Sequence, residues 1–289
     1  MSPLGNQPVV VGVDGSQQAR FALRWAAEFA AHHRAPLDIV FAIEIPVDYY
    51  GPGLDGPRYD RWALHRQGKE VADAATEASA VSAPIADLSI STSAVEGSPV
   101  AVLRARSSSA RLIVVGSRGH GALRRTLLGS VSTSIARHAD CPVAVIPDAP
   151  VDDKGPVVVG VDGSACSIDA IGIAFDEATR RGAALRAVNA WSEFYRYEAR
   201  STMQAEAEAL LSESLAGYAE KYPDVRVERV VVEDRPARAV LDAAEGAQLI
   251  VVGSHGRGGF AGMTLGSVAQ AALHGAQSPI IIARPRSRH

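Results

Sequence analysis

Leu112-Ile113-Val114-Val115-Gly116-Ser117-Arg118-Gly119, nine residues from His120 to Leu128, then Gly129-Ser130: this stretch decides the fold, and the 289-residue chain contains it twice. The second copy reads Leu249-Ile250-Val251-Val252-Gly253-Ser254-His255-Gly256, nine residues from Arg257 to Leu265, and Gly266-Ser267. Each copy is a short apolar run that fits a buried strand, followed by a glycine-rich turn and a serine that can open a helix. A strand, turn and helix start in that order present main-chain N–H groups to a phosphate. Two copies predict two nucleotide sites.

Working outward, Val9-Val10-Val11-Gly12-Val13-Asp14-Gly15-Ser16 recurs as Val157-Val158-Val159-Gly160-Val161-Asp162-Gly163-Ser164. Repeats this long mean duplicated domains. The Val-rich openings read as strands, with Ser16 and Ser164 capping the helices that follow. Those helices space Phe21, Trp25, Ala26 and Phe29, or Ile171, Ala174, Phe175 and Ala178, at three and four residues. Leu37–Ala42 and Leu185–Ala190 are second strands. Longer helices are predicted from about His65 to Ala80 and from about Met203 to Lys221, then strands over Leu88–Val95 and Val225–Val232. Pro99 and Pro236 start short helices, because proline fits a first turn. Val143–Ile146 and Ile280–Ile282 close the halves as apolar edge strands. Exposed edges of that kind pair, so they are expected to join the two halves or two chains as a homodimer.

Apolar strands alternating with helices imply parallel sheets covered on both faces. The fold class is therefore α/β: two tandem, doubly wound parallel-sheet domains of Rossmann-like type, residues 1–150 and 151–289, with a linker near Asp148–Pro156. The first half holds roughly eleven more residues between its landmarks, assigned to the Gly- and Pro-rich stretch Tyr49–His65.

Apolar residues at 47% and charged residues at 21% describe a globular protein. A net charge of −3 gives no electrostatic case for nucleic acid. No apolar run reaches the roughly 18 residues of a membrane span, and Met1–Gln7 lacks the features of a signal peptide. Two cysteines, Cys141 and Cys166, make no disulfide framework. A cytoplasmic location is expected.

In open α/β sheets, ligands sit beyond the carboxyl ends of the strands at the switch point. Both glycine motifs and both Val-Asp-Gly-Ser turns fall there. A Cβ at Gly116, Gly119 or Gly129 is expected to obstruct a triphosphate or a left-handed turn. Ser130 and Ser267 offer donors at a helix start, where the dipole favours anions. Asp14 and Asp162 have two open readings: a partner for ribose, adenine amine or Mg²⁺, or a plain turn former and helix cap. Arg118, Arg124, Arg125 and Arg257 grip phosphate or lie in water; His120 and His255 lack a partner at metal-ligand spacing. The motif is no P-loop, since it has no Gly-Lys-Ser/Thr, and no dinucleotide fingerprint, which follows the first strand.

On these residues, both copies fitting Gly-x2-Gly-x9-Gly-Ser/Thr, the whole chain resembles the universal stress protein family in its ATP-binding branch, and the tandem dormancy-associated members of mycobacteria in particular. That resemblance implies ATP at Gly116, Gly119, Gly129, Ser130 and Val131, with Gly12 and Asp14 near the nucleoside and the Ala42 backbone at adenine. It implies a second site at Gly160, Asp162, Ala190, Gly253, Gly256, Gly266, Ser267 and Val268. It also implies a nucleotide-dependent regulator of stress or dormancy, acting on an unidentified protein partner and with no catalytic residue assigned. The alternatives are a slow Mg-dependent ATP hydrolase and a module binding another adenylate such as cyclic AMP. Valine at Gly116 and Gly253 together is expected to abolish binding and spare the fold.

Overall fold

The computed structural model describes residues 7–43, 73–119, 128–148, 154–192, 199–258 and 264–284. The whole of the Tyr49–His65 insertion and the start of the predicted helix from His65 lie outside them. Two compact units divide between Ile135 and Ala136.

In the first unit, strands β1 (Val9–Val13), β2 (Leu37–Ile43), β3 (Ile90–Glu96) and β4 (Leu112–Gly116) pair in parallel in the order β3-β2-β1-β4. Helices α1 (Gln17–His33), α2 (73–82) and α3 (Pro99–Ser107) alternate with them, and α4 (Ser130–His138) follows β4. β1 and β4 are valine- and isoleucine-rich because both faces are covered, and Val9, Val11, Ile113 and Val114 are fully buried. β3, at the edge of this order, is half polar and carries Ser91, Thr92 and Ser93. Ser16 starts α1 as predicted: its Oγ accepts the Ala19 N–H at 3.1 Å. Ser98 caps α3 ahead of Pro99 in the same way, accepting from Ala101 N at 3.3 Å.

The second unit holds β5 (Val143–Ile146), β6 (Val157–Gly160), β7 (Leu185–Trp191), β8 (Val227–Glu233), β9 (Leu249–Gly253) and β10 (Ile280–Ala283), in the order β5-β10-β9-β6-β7-β8. All neighbours are parallel except β5 and β10, whose antiparallel register sets Ile281 opposite Ala144. The closing strands of the two repeats thus pair with each other. β10 is flanked on both sides, by β9 and β5, so it has no free backbone edge for a second chain. Four consecutive buried residues in each strand explain the pairing: solvating either edge would expose Val143, Val145, Ile280 and Ile282.

Helices α5 (Ala165–Arg181), α6 (Arg200–Ser214), α7 (Tyr218–Lys221), α8 (Pro236–Ala243) and α9 (Ser267–Gly275) complete the unit. The single helix predicted from Met203 to Lys221 is two helices, broken at Gly217, which sits at φ 79°. The break turns Tyr218 and Tyr222 onto Phe175 of α5, with ring centroids 4.7 Å and 5.4 Å away. Burial pushes the Tyr218 hydroxyl pKa up, against the opposing pull of Lys221. Among the described residues no helix is long and apolar enough to cross a membrane.

The repeats end their first helix with one geometry and different residues. α5 stops at Gly182, φ 60°, whereas α1 stops at Arg34, φ 49°, the one non-glycine residue with positive φ among those described. A side chain in that region costs about 1–2 kcal/mol. Arg34→Gly is therefore expected to stabilise the protein by about 0.5–1 kcal/mol, after the entropy of glycine is subtracted. Urea denaturation checks it; a destabilised variant contradicts the cap geometry.

Candidate functional site

In the second unit β6 lies between β7 and β9, the switch point of the sheet, and the chain leaves β6 through Asp162 and β9 through Gly253. A cavity of about 370 Å³ opens there, at the small end of the range for ligand sites of roughly 300–1,000 Å³. All eight residues assigned from sequence to the second site line it: Gly160, Asp162, Ala190, Gly253, Gly256, Gly266, Ser267 and Val268. One side of the lining is apolar, with Val188, Ala190, Pro236, Val240 and Val252. The other is the loop from Gly253 through Arg257 and the start of α9.

The two ends of the glycine motif are tied together by one bond in each repeat. Gly266 N donates to Ser254 O at 2.7 Å, and Gly129 N donates to Ser117 O at 2.7 Å. The motif is thus a closed loop whose second glycine pair is held against its first. Ser254 is fully buried, and its N–H donates to Ala283 O at the end of β10. Beside it, Arg284 Nη2 donates to Ala136 O at 2.5 Å and Thr264 O at 3.5 Å. Burial pushes the Arg284 pKa down, while Cys141, Asp140 and Cys166 push it up.

Gly119, Gly253 and Gly256 are required by the chain's own close contacts, Gly116 and Gly129 are crowded, and Gly266 is in ordinary contact only. None of Gly116, Gly119, Gly129, Gly253, Gly256 and Gly266 has positive φ, so the left-handed turn expected there is absent; it lies at Gly15 (φ 82°) and Gly163 (φ 75°) instead. A Cβ on Gly253 would sit 2.9 Å from Cys166 Cβ and 3.0 Å from Cys166 C, in the first turn of α5. One on Gly116 would sit 3.2 Å from Gln18 O in the first turn of α1. A valine at either place displaces a helix, so the expectation of an intact fold is corrected: such a variant tests packing before it tests binding. Cys166, a buried free thiol, serves here as a small packing residue whose Sγ lies 3.5 Å from Ser254 Oγ.

Gly119 and Gly256 face the aspartates. A Cβ on either would overlap Oδ2 of Asp14 or Asp162. Asp162 Oδ1 accepts from Ser164 N at 2.9 Å and Ser164 Oγ at 2.6 Å, while Oδ2 accepts from Arg257 N at 3.0 Å. Asp14 Oδ1 likewise accepts from Ser16 N at 3.0 Å. The turn-forming role read in sequence is present, and it extends further than a cap: Asp162 joins the β6 tip to a loop ninety-odd residues away. Arg257, expected at phosphate or in water, lays its guanidinium over Gly163.

In the first unit, Gly12, Asp14, Ala42, Gly116, Gly119, Gly129, Ser130 and Val131 are all described, and the contacts just given bring Gly119 to Asp14 and Gly129 to Ser117. His120, Arg124 and Arg125 fall outside the described residues. A cavity of about 240 Å³ in this unit lies elsewhere, beside α1 and α2, with Arg20, Asp73 and Glu77 in its lining and none of the predicted site residues.

Sequence reasoning missed Val188 and Val240 as cavity wall. The signal was available: Val240 lies one turn beyond Pro236, whose place at the start of α8 was read correctly.

A doubly wound sheet whose switch point opens into a glycine-lined cleft defines the class. The sequence model of the Universal stress protein family matches residues 5–147 and again residues 155–284, and the chain belongs to that family as a tandem of two domains. It is 46% identical over 290 residues to a universal stress protein of Mycobacterium tuberculosis, covering 98% of each chain. A Mycolicibacterium smegmatis universal stress protein is 42% identical over 289 residues, covering 96% of this chain and 97% of its own. The crystal structure of a universal stress protein from Archaeoglobus fulgidus superposes with a TM-score of 0.69 at 20% identity, covering 96% of each chain, a likeness of fold.

Because Asp162 holds both the turn and the loop, Asp162→Ala is expected to destabilise ligand-free protein by about 2 kcal/mol, and Asp162→Asn by less, since it keeps Oδ1 as acceptor. Urea denaturation without nucleotide measures this. An Ala variant as stable as the parent contradicts the structural role.

Proposed function

We propose that the chain is an adenine-nucleotide-binding regulatory protein, with ATP as the physiological ligand and occupancy read out through a protein partner in a stress or dormancy response. The observation that supports it best is the start of α9. Its N-cap is Gly266, and no side chain caps the helix, as none caps α6, α7 or α8, whereas serines cap α1, α3 and α5. That uncapped end opens into the cavity, and a helix N-terminus with spare N–H groups and a favourable dipole is an anion site. The apolar wall of Val188, Ala190, Val240 and Val252 offers a face for a purine on the other side. In this reading Gly256, Gly266, Ser267 and Val268 hold the phosphates through main-chain donors and the Ser267 hydroxyl, and Gly160 and Ala190 leave room for the nucleoside. The first unit's motif, closed by the same 2.7 Å bond, takes a second nucleotide.

Binding needs no catalytic group, and Asp162, the carboxylate a hydrolytic reading would use for Mg²⁺, is engaged by its own main chain. Regulation by occupancy is therefore preferred to turnover.

Ser267→Asp separates ligand binding from folding, because the residue is exposed at the helix start. The carboxylate complements the dipole, so ligand-free stability rises by about 0.3–1 kcal/mol. It also repels phosphate, so the second site is lost and ATP stoichiometry halves. The parent protein gains about 2.7 kcal/mol per site at ligand near 100 times its dissociation constant. Thermal shifts with ATP, ADP, AMP and GTP and a calorimetric stoichiometry decide it; no response to any adenine nucleotide refutes the function.

A further inference from the structure

We propose that two copies of the chain join along strand β8, antiparallel about a two-fold axis at Val231, with Arg229 of each copy opposite Glu233 of the other. The closing strands expected to take a second chain are paired with each other, so a second chain needs another edge. This interface goes beyond the nucleotide reading and does not depend on it.

β8 ends the strand order, and among the described residues its one strand partner is β7. The pairing runs without a bulge from Leu185↔Val227 to Trp191↔Glu233, and β8 contains no proline. At its two ends Arg226 O accepts from Leu185 N at 2.9 Å, and Asp234 N donates to Trp191 O at 2.9 Å. Alternate residues of a strand turn their backbone groups to the same neighbour, so the even-numbered residues serve β7. Val227, Arg229, Val231 and Glu233 therefore turn their N–H and C=O groups to the outer edge. Val230, Val231 and Val232 are only half-buried. A long, regular, apolar edge is a template for another strand, and two copies of one edge close on each other about a two-fold axis.

Charge selects the register. On the face covered by α6, Arg229 Nη1 donates to Ser212 Oγ at 3.3 Å, and Glu233 Oε1 lies 3.2 Å from Arg200 Nη2. An antiparallel pair centred on Val231 sets Arg229 opposite Glu233 twice, Val231 against itself and Val230 against Val232. Arg229, Val231 and Glu233 all face outward, so each then sits in a pair that exchanges both main-chain hydrogen bonds. Centring on Arg229 would set two arginines together, and centring on Val230 or Val232 would set Val231 against a charge. Opposite charges across strands favour a pairing and like charges oppose it. Glu228 meets Asp234 in the chosen register, but each has its own cation, Arg186 at 2.9 Å and Arg238 at 3.6 Å. The edge strand of the first unit, β3, lacks this complementarity: Glu96 is the one charged residue of Ile90–Glu96.

Sedimentation velocity of the full chain over a wide range of concentration tests this, on the parent, Arg229→Glu, Glu233→Arg and the double exchange of the two. The parent is expected to pass from monomer to dimer as concentration rises. Either single reversal puts like charges at both ends of the paired strands and is expected to raise the dissociation constant about tenfold, and the double exchange to restore most of that loss. Independently, Val231→Cys is expected to cross-link two chains on mild oxidation, because Cα atoms of a hydrogen-bonded antiparallel pair lie about 5.5 Å apart, within reach of a disulfide. Val230→Cys is expected to stay uncross-linked, its two copies lying about 7–8 Å apart on the diagonal. Cys141 and Cys166 are buried, so the parent serves as the control. A parent that stays monomeric, a dimer that both reversals leave as tight, a double exchange no tighter than the single ones, or cross-linking at Val230 in place of Val231 overturns the inference. Failure to cross-link at Val231 overturns it even where a charge variant does not fold, and the nucleotide function stands in every case.

Discussion

The cleft of the second unit depends on a carboxylate that ties two parts of its own chain together. Asp162 sits where β6 ends, and its two oxygens hold the turn into α5 and the loop out of β9 at once. Strands β6 and β9 are neighbours in the sheet, yet the residues that leave them are far apart in sequence, so the cleft has to be stitched across its mouth. A charge-assisted bond to a main-chain N–H does that at a cost in desolvation that Ser164 offsets on the other oxygen. Gly256 is glycine because any Cβ would occupy the place of Oδ2. The stitch and the missing side chain are one feature.

That arrangement changes what the glycine motif means. Read as sequence, its glycines bare the backbone for a phosphate; in the folded chain two of these gaps are filled by protein. Gly253 admits the first turn of α5 and Gly256 admits Asp162, while a Cβ on Gly266 would meet Ser254 O at an ordinary contact distance of 3.4 Å. Side-chain loss therefore builds a tight, preorganised loop rather than an open one. At the mouth of the cleft lies the start of α9, whose N-cap glycine brings no hydroxyl to the N–H groups of its first turn.

The fold was legible because its signals are local and repeated. Valine-rich strands, serine caps at Ser16 and Ser164, and prolines at Pro99 and Pro236 each state a local preference that the tertiary structure keeps. The eight residues of the second cleft were assigned through the family resemblance, and they meet because a parallel sheet brings successive strand tips to one end regardless of sequence distance. What stayed hidden was pairwise. That Gly217 would break a helix so two tyrosines could stack on Phe175 depends on a ring 4.7 Å away, not on neighbours in the chain. That Asp162 would reach Arg257 N is likewise a choice among partners that periodicity does not rank.

The two repeats show how one scaffold accommodates divergence. Where side chains face their own unit's packing, the halves agree in role even when identity changes: Arg34 accepts the left-handed cap that Gly182 takes without strain. The third motif position differs in character, arginine in one half and histidine in the other, and His255 lines the cleft of the second unit. The backbone bond that closes the loop is 2.7 Å long in both, so the loop's closure does not depend on that side chain. The third motif position therefore changes its charge between the repeats while the bond that closes the loop stays the same.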